Sequence, residues 1–274
     1  MTILSIDNND FYYEVHGTGE PVIFAHGLGG NHASWYKQVA VLAKAYQVIT
    51  FDHRGFGNST DKENIGRSGF VSDLLALLDH LNITKAALIG QSMGGGTIIT
   101  FANQYPERVA GLVIADSLHG FVESDDVKKL MNDARESTNN LTQLERVLGK
   151  NYFEKNSEAA LLYQQLNSFN TTDRSNLVGQ YASNKITPAQ LAEIDAPIMF
   201  LAGQEDILFP IDAIRLVQEQ VTGSFIVEFD NCGHSAFFEK PIEFNDSLLS
   251  FLQMAGLEPL SDKAQSNSSG YVKA

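Results

Sequence analysis

Along its first third the chain alternates short apolar runs with amphipathic stretches. "FYYEVH" at 11–16, "PVIFA" at 21–25 and "QVITF" at 47–51 predict strands. Between 67 and 81, Phe70, Val71, Leu74, Leu77, Leu78 and Leu81 fall at helical spacing. "KAALIG" at 85–90 reads as a further strand, and after it Ile98, Phe101, Ala102 and Tyr105 mark one face of a helix. "VAGLVIAD" at 109–116 is again a buried strand. Strands separated by single helices need crossover connections, which makes the sheet mostly parallel with helices on its faces.

The alternation stops after Asp116. Residues 117–195 hold no convincing strand, are rich in Asn, Gln, Ser, Lys and Glu, and show helical periodicity at Leu162, Leu166 and Phe169. It resumes with strands at 197–203 and 224–229, a helix over 212–220 between them, and a last helix at 241–254 with Phe244, Leu248, Phe251 and Leu252 on one face. The pattern predicts one α/β core, 1–116 with 196–256, interrupted by a helical insertion at 117–195 and followed by a polar, flexible tail at 257–274.

Charge narrows the function classes. A formal net charge of -14 over 274 residues argues against a nucleic-acid surface, which needs clustered Lys and Arg, and against docking on an anionic membrane. The single cysteine, Cys232, excludes an intrachain disulfide and a Cys-rich zinc site. No basic, apolar leader and no membrane-length apolar run is visible, so a cytoplasmic location is the default expectation. The expected partner is a small molecule, with the chain acting as a monomer or small homo-oligomer.

The stretch "LIGQSMGGGTIITFA" carries the chemistry. Gly90 to Gly94 match G-x-S-x-G, between a predicted strand and a predicted helix. A turn tight enough to expose a serine there strains the central residue, and flanking glycines remove Cβ atoms that would collide. The following helix aims its N-terminal N–H groups at the site. Ser92 is therefore the candidate nucleophile, and it needs a base. His234, in "NCGHSAFFEKP", lies between the last strand and the last helix, at the same sheet edge as Ser92. Asp206, in "GQEDILFP", follows strand 197–203 and reaches that edge too, giving the order Ser92, Asp206, His234. Glu205 and Asp116 are the rival carboxylates. "FAHGLGGNHASW" at 24–35 follows a strand, so the N–H groups of Leu28 and Met93 are the candidate oxyanion donors. As a phosphate loop this stretch fails, because His32 stands where the third glycine belongs.

These motifs, with "FDHRGFGNS", "ANQYPERVAGLVIAD" and "LAGQEDILFP" in this order, resemble the α/β-hydrolase superfamily over residues 11–256. The resemblance implies an α/β-hydrolase fold with a helical cap at 117–195 and a triad of Ser92, Asp206 and His234, with no metal or other cofactor. Haloalkane dehalogenases and epoxide hydrolases carry Asp at the elbow, so Ser92 implies acyl transfer, on a small carboxylic ester or lactone. C–C hydrolysis of meta-cleavage products is the alternative, and a slow or non-catalytic small-molecule receptor of the same fold is another. Phe121, Phe153, Leu162 and Phe169 are expected to line an apolar acyl pocket under the cap, or else to form the core of the cap.

Overall fold

The computed structural model describes residues 2–170 and 185–260. Its centre is an eight-stranded sheet: β1 (Thr2–Ile6), β2 (Asn9–His16), β3 (Pro21–Ala25), β4 (Gln47–Phe51), β5 (Ala86–Gln91), β6 (Val109–Ala115), β7 (Ile198–Gly203) and β8 (Phe225–Phe229). The spatial order is β1-β2-β4-β3-β5-β6-β7-β8. Only the first hairpin and the β2–β4 pair run antiparallel. β5 and β7 are buried along their whole length, as strands covered on both faces must be.

Helices α1 (Tyr36–Leu42), α2 (Phe70–His80), α3 (Met93–Gln104), α9 (Ile211–Gln218), α10 (Ala236–Glu239) and α11 (Pro241–Met254) belong to the core. They complete two apolar layers. One joins Leu74, Leu78, Ile98 and Phe101 to Ile23, Leu88 and Phe200. The other joins Trp35, Phe237, Phe244 and Phe251 to Phe24, Ile89 and Leu201. Trp35 is fully buried between Phe24 and Phe237, with ring centroids 4.9 and 4.8 Å away. Removing that ring would cost about 3–5 kcal/mol in transfer and cavity terms.

Between β6 and β7 the chain forms α4 (Asp125–Thr138), α5 (Gln143–Val147), α6 (Lys150–Lys155), α7 (Ser157–Ser168) and α8 (Pro188–Ala192). Side chains start three of them: Ser124, Thr142 and Thr187 each accept from the first turn, the last two within capping boxes. The segment leaves and re-enters the core side by side, through a parallel bridge from Phe121 to Ile186. Polar contacts tie it down: Asn31 Nδ2 donates to the Leu166 carbonyl at 2.8 Å and Asn170 Nδ2 to the Gly30 carbonyl at 2.9 Å.

The sequence pattern gives no strand at 2–6, where β1 lies. A flexible tail from residue 257 is also wrong at its start: Leu257 is buried, its carbonyl accepts from Tyr46 Oη at 3.2 Å, and the Leu260 N–H donates to the Ala45 carbonyl at 3.1 Å. The rest of that stretch, 261–274, lies outside the described residues. Among the described residues no helix is long and apolar enough to cross a membrane.

Candidate active site

Ser92 stands between β5 and α3 with φ 50° and ψ -114°. A non-glycine residue there carries strain of about 1–3 kcal/mol, which its surroundings must over-determine. They do. The Ser92 N–H donates to the Ala115 carbonyl at 3.0 Å, and its own carbonyl accepts from the Gly95 N–H at 2.9 Å and from Ser117 Oγ at 2.7 Å. The flanking glycines are sterically required. A Cβ on Gly90 would sit 2.5 Å from the Gly94 carbonyl oxygen, and one on Gly94 would sit 2.5 Å from the Ala25 carbonyl carbon.

His234 lies on the loop after β8. Its Nδ1 is 2.8 Å from Asp206 Oδ2, and both side chains are buried. Asp206 Oδ1 accepts from the N–H groups of Leu208 (2.8 Å) and Phe209 (3.1 Å), which fixes the carboxylate plane. The Phe209 ring stacks on the imidazole at 5.5 Å. Burial works against a charged imidazole here, but Asp206, Asp116 and Glu239 outweigh it and hold the His234 pKa above its usual value of 6.5. Gln91, the variable residue before the nucleophile, donates from Nε2 to the His234 carbonyl at 2.9 Å, tying elbow and histidine loop together.

The rival carboxylates point elsewhere. Asp116 is fully buried, and its Oδ1 accepts from the Gly203 N–H at 2.9 Å. Burial, then the charge of Asp206, pushes its carboxyl well above the usual range. The Glu205 carboxylate lies at the turn between α5 and α6, its Oε2 3.3 Å from where a Cβ on Gly149 would sit.

Ser92 and His234 both face a cavity of about 270 Å³, whose wall also includes Leu28, Tyr163, Arg135 and Arg146. Among the described residues no hydrogen bond joins Ser92 to His234; such bonds commonly tighten only when substrate is bound. Leu28 and Met93 lie together, their side chains packed with Phe56 and Phe70. A Cβ on Gly27 would lie 3.2 Å from Ser92 Cβ, so the loop before Leu28 rests directly on the serine. Behind it, His53 donates its backbone N–H to His26 Nε2 at 3.0 Å and places its Nε2 3.0 Å from Thr97 Oγ1. Burial lowers both imidazoles, His26 to about 4, so this pair is neutral and links the two loops.

The four apolar residues expected in the pocket do not line this cavity. Phe121 follows β6, is fully buried, and stacks on Phe200 beneath the inserted helices. Phe153 packs into the second apolar layer. Helix α7 turns Ala160 and Tyr163 inward instead, leaving Leu162 40% and Phe169 64% exposed. The residues that do contribute, Arg135, Gln143, Arg146, Val147 and Tyr163, carry no motif. Gln91 and Phe209 were within reach of sequence reasoning, because each lies within a motif. His119, which follows β6, does border the cavity, and burial keeps its pKa well below the usual value.

A family model described as the alpha/beta hydrolase fold matches residues 20–241. Among curated proteins, a 2-hydroxy-6-oxononadienedioate/2-hydroxy-6-oxononatrienedioate hydrolase of Paraburkholderia phymatum is 33% identical, the match covering 88% of this chain and 90% of that protein. Among solved structures, a thermophilic esterase from Thermogutta terrifontis superposes with a TM-score of 0.76 at 23% identity, covering 93% of this chain and 98% of that one. The enol-lactonase of Burkholderia xenovorans does so with a TM-score of 0.76 at 21% identity, covering 92% and 100%. At those identities the two structures attest a shared fold.

Proposed function

The chain belongs to the α/β-hydrolase fold family and is a hydrolase, and from that premise we propose that it cleaves a small carboxylic ester or lactone through an acyl-enzyme on Ser92. The observation that carries the reading is the strained serine sharing one cavity with an imidazole whose far nitrogen is held by a buried carboxylate. Nδ1–H donates to Asp206, which leaves Nε2 as the unprotonated base. His234 takes the Ser92 proton as Oγ attacks the carbonyl carbon. The N–H groups of Leu28 and Met93 hold the oxyanion. The tetrahedral adduct collapses, the leaving oxygen takes the proton from His234, and the acyl group stays on Ser92. Water, deprotonated by the same imidazole, then releases the acid. Residues 117–195 act as the cap over this cavity, supplying Arg135, Gln143, Arg146, Val147 and Tyr163 to its wall.

The wall also argues for the kind of acyl compound. In a chain of net charge -14, the described lining of this cavity contains Arg135 and Arg146 and no Asp or Glu. Arg146 is half-buried, and its guanidinium has no hydrogen-bond or ion-pair partner among the described residues. A guanidinium so placed favours a substrate that carries a carboxylate. This feature supports a second reading as well, hydrolysis of a C–C bond beside a ketone, since the curated relative named above acts on a dicarboxylate.

Turnover of p-nitrophenyl esters, their carboxylate-bearing analogues and a dienone acid, by wild type and Ser92→Ala side by side, separates the cases. Fast, Ser92-dependent ester cleavage is expected. Ser92-dependent cleavage of the dienone acid alone would replace the first reading by the second, and turnover that survives Ser92→Ala would remove both.

A further inference from the structure

Glu239 closes α10, five residues after His234, and is almost fully buried. Its two oxygens serve different parts of the molecule. Oε1 accepts from the N–H of Gly233, the residue immediately before His234, at 3.1 Å. Oε2 accepts from the N–H of Gly149, at the corner between α5 and α6, at 3.0 Å. The two backbones touch where the carboxylate joins them. A Cβ on Gly233 would lie 2.7 Å from the Leu148 carbonyl carbon, and one on Gly149 would lie 3.1 Å from the Gly233 nitrogen. Glycine on both sides lets the cap segment rest directly on the histidine loop. Val147 and Arg146, just before this corner, belong to the cavity wall.

We infer that Glu239 is a positioning residue, whose carboxylate locks the loop carrying His234 to the α5–α6 corner of the cap, so that the imidazole and the cavity wall keep one register. This rests on His234 being the general base. A buried carboxylate is a costly way to fill space, and a well-packed apolar side chain would serve stability better. Burial pushes its carboxyl up to about 7 although three backbone N–H groups pull the other way. The titratable groups that face it are Asp206, His234, Tyr152 and Cys232, with Glu205, whose Oε2 approaches the same Gly149 corner. A buried carboxyl kept against that cost, with each oxygen on a separate segment, is what a two-segment clamp requires.

Two substitutions separate the clamp from its charge. Glu239→Gln keeps the length but offers one acceptor to two N–H donors. Glu239→Asp keeps the charge but is one methylene too short to reach both. Rates are counted per serine labelled by a fluorophosphonate, with wild type and Ser92→Ala measured alongside. Both variants should lose about tenfold or more in kcat, as misplaced catalytic groups do. The acid limb of kcat/KM should move to lower pH in Glu239→Gln alone, because the Glu239 charge raises the His234 pKa. Wild-type kcat in Glu239→Asp would reduce the role to charge, and wild-type kcat per labelled serine in both would reduce it to structure; either result overturns the inference. Should both variants fail to fold, hydrogen exchange in the wild type decides, with slow exchange at both the Gly149 and Gly233 amides supporting the clamp and fast exchange at either overturning it. Unchanged turnover in Ser92→Ala would instead mark failure of the reading on which the inference rests.

Discussion

Replacing Asp206 by Asn tests whether this carboxylate, and not Asp116, sets the tautomer of His234. Asp206 Oδ1 accepts from two backbone N–H groups, at 2.8 and 3.1 Å, and Oδ2 lies 2.8 Å from His234 Nδ1. An asparagine has one carbonyl oxygen to offer. Facing its NH2 toward the Leu208 and Phe209 amides would oppose donors to donors twice, so the oxygen takes that side and the NH2 turns to His234. Nδ1 must then accept, the ring proton moves to Nε2, and the imidazole presents a donor to Ser92 where a base is needed. A wrong tautomer of this kind costs about 10⁴ in kcat, or about 5 kcal/mol in the barrier. The volume is unchanged, so the fold should survive, which thermal unfolding followed by circular dichroism checks. Asp116→Asn is the control. That carboxyl is already pushed toward its neutral form by burial, and an amide keeps the acceptor for the Gly203 N–H. Its kcat should stay within about tenfold of wild type, since it leaves the imidazole tautomer alone. The assay is pre-steady-state hydrolysis of p-nitrophenyl acetate, with active sites counted by phosphonate titration. A mild effect of Asp206→Asn together with a collapse in Asp116→Asn would give the orienting role to Asp116 instead.

The His234 pKa is raised, so kcat/KM should climb with a slope of one on the logarithmic scale through a midpoint above 6.5, and a midpoint at or below that value would contradict the Asp206 pairing. The same shift stabilises the fold fully below 6.5, and that contribution is lost as pH rises through the raised value, which thermal midpoints across pH should register. Arg146→Met should raise KM for a p-nitrophenyl hemiester of a dicarboxylic acid about tenfold and leave a neutral ester of equal length within about twofold, as expected for one charge-assisted contact in a half-exposed wall. Gly27→Ala should cost about 10² in kcat with a modest loss of stability, because a Cβ there presses on Gln91 and lies 3.2 Å from Ser92 Cβ, displacing the loop that carries the Leu28 N–H; unchanged kcat would detach that loop from the chemistry.

Much of this molecule was legible because the parallel core repeats one simple unit. Apolar runs such as "KAALIG" and "VAGLVIAD" lie where β5 and β6 lie, since strands covered on both faces need uninterrupted apolar sequence. The elbow is legible for a different reason: its glycines answer steric demands that few other sequences meet. β1 escaped because it is an edge strand, mostly exposed and paired on one side. Its signal was in the turn, where Asp7 and Asn8 both adopt positive φ, at 47° and 63°, as a two-residue hairpin requires. The cavity wall was illegible in principle. Which side of α7 faces inward depends on how five short helices dock, and a rotation by one residue exchanges Leu162 for Tyr163. Arg146 lies on a five-residue helix held by a capping box, and no local pattern says that it meets Ser92 across the fold.

The most direct test of the account is to treat wild type and Ser92→Ala with a fluorophosphonate and map the modified residue by mass spectrometry while following turnover. One phosphonate per chain is expected, on Ser92, with activity lost in step with labelling, and neither label nor turnover in Ser92→Ala. Labelling at another residue, or turnover that persists once Ser92 is blocked or removed, would contradict it.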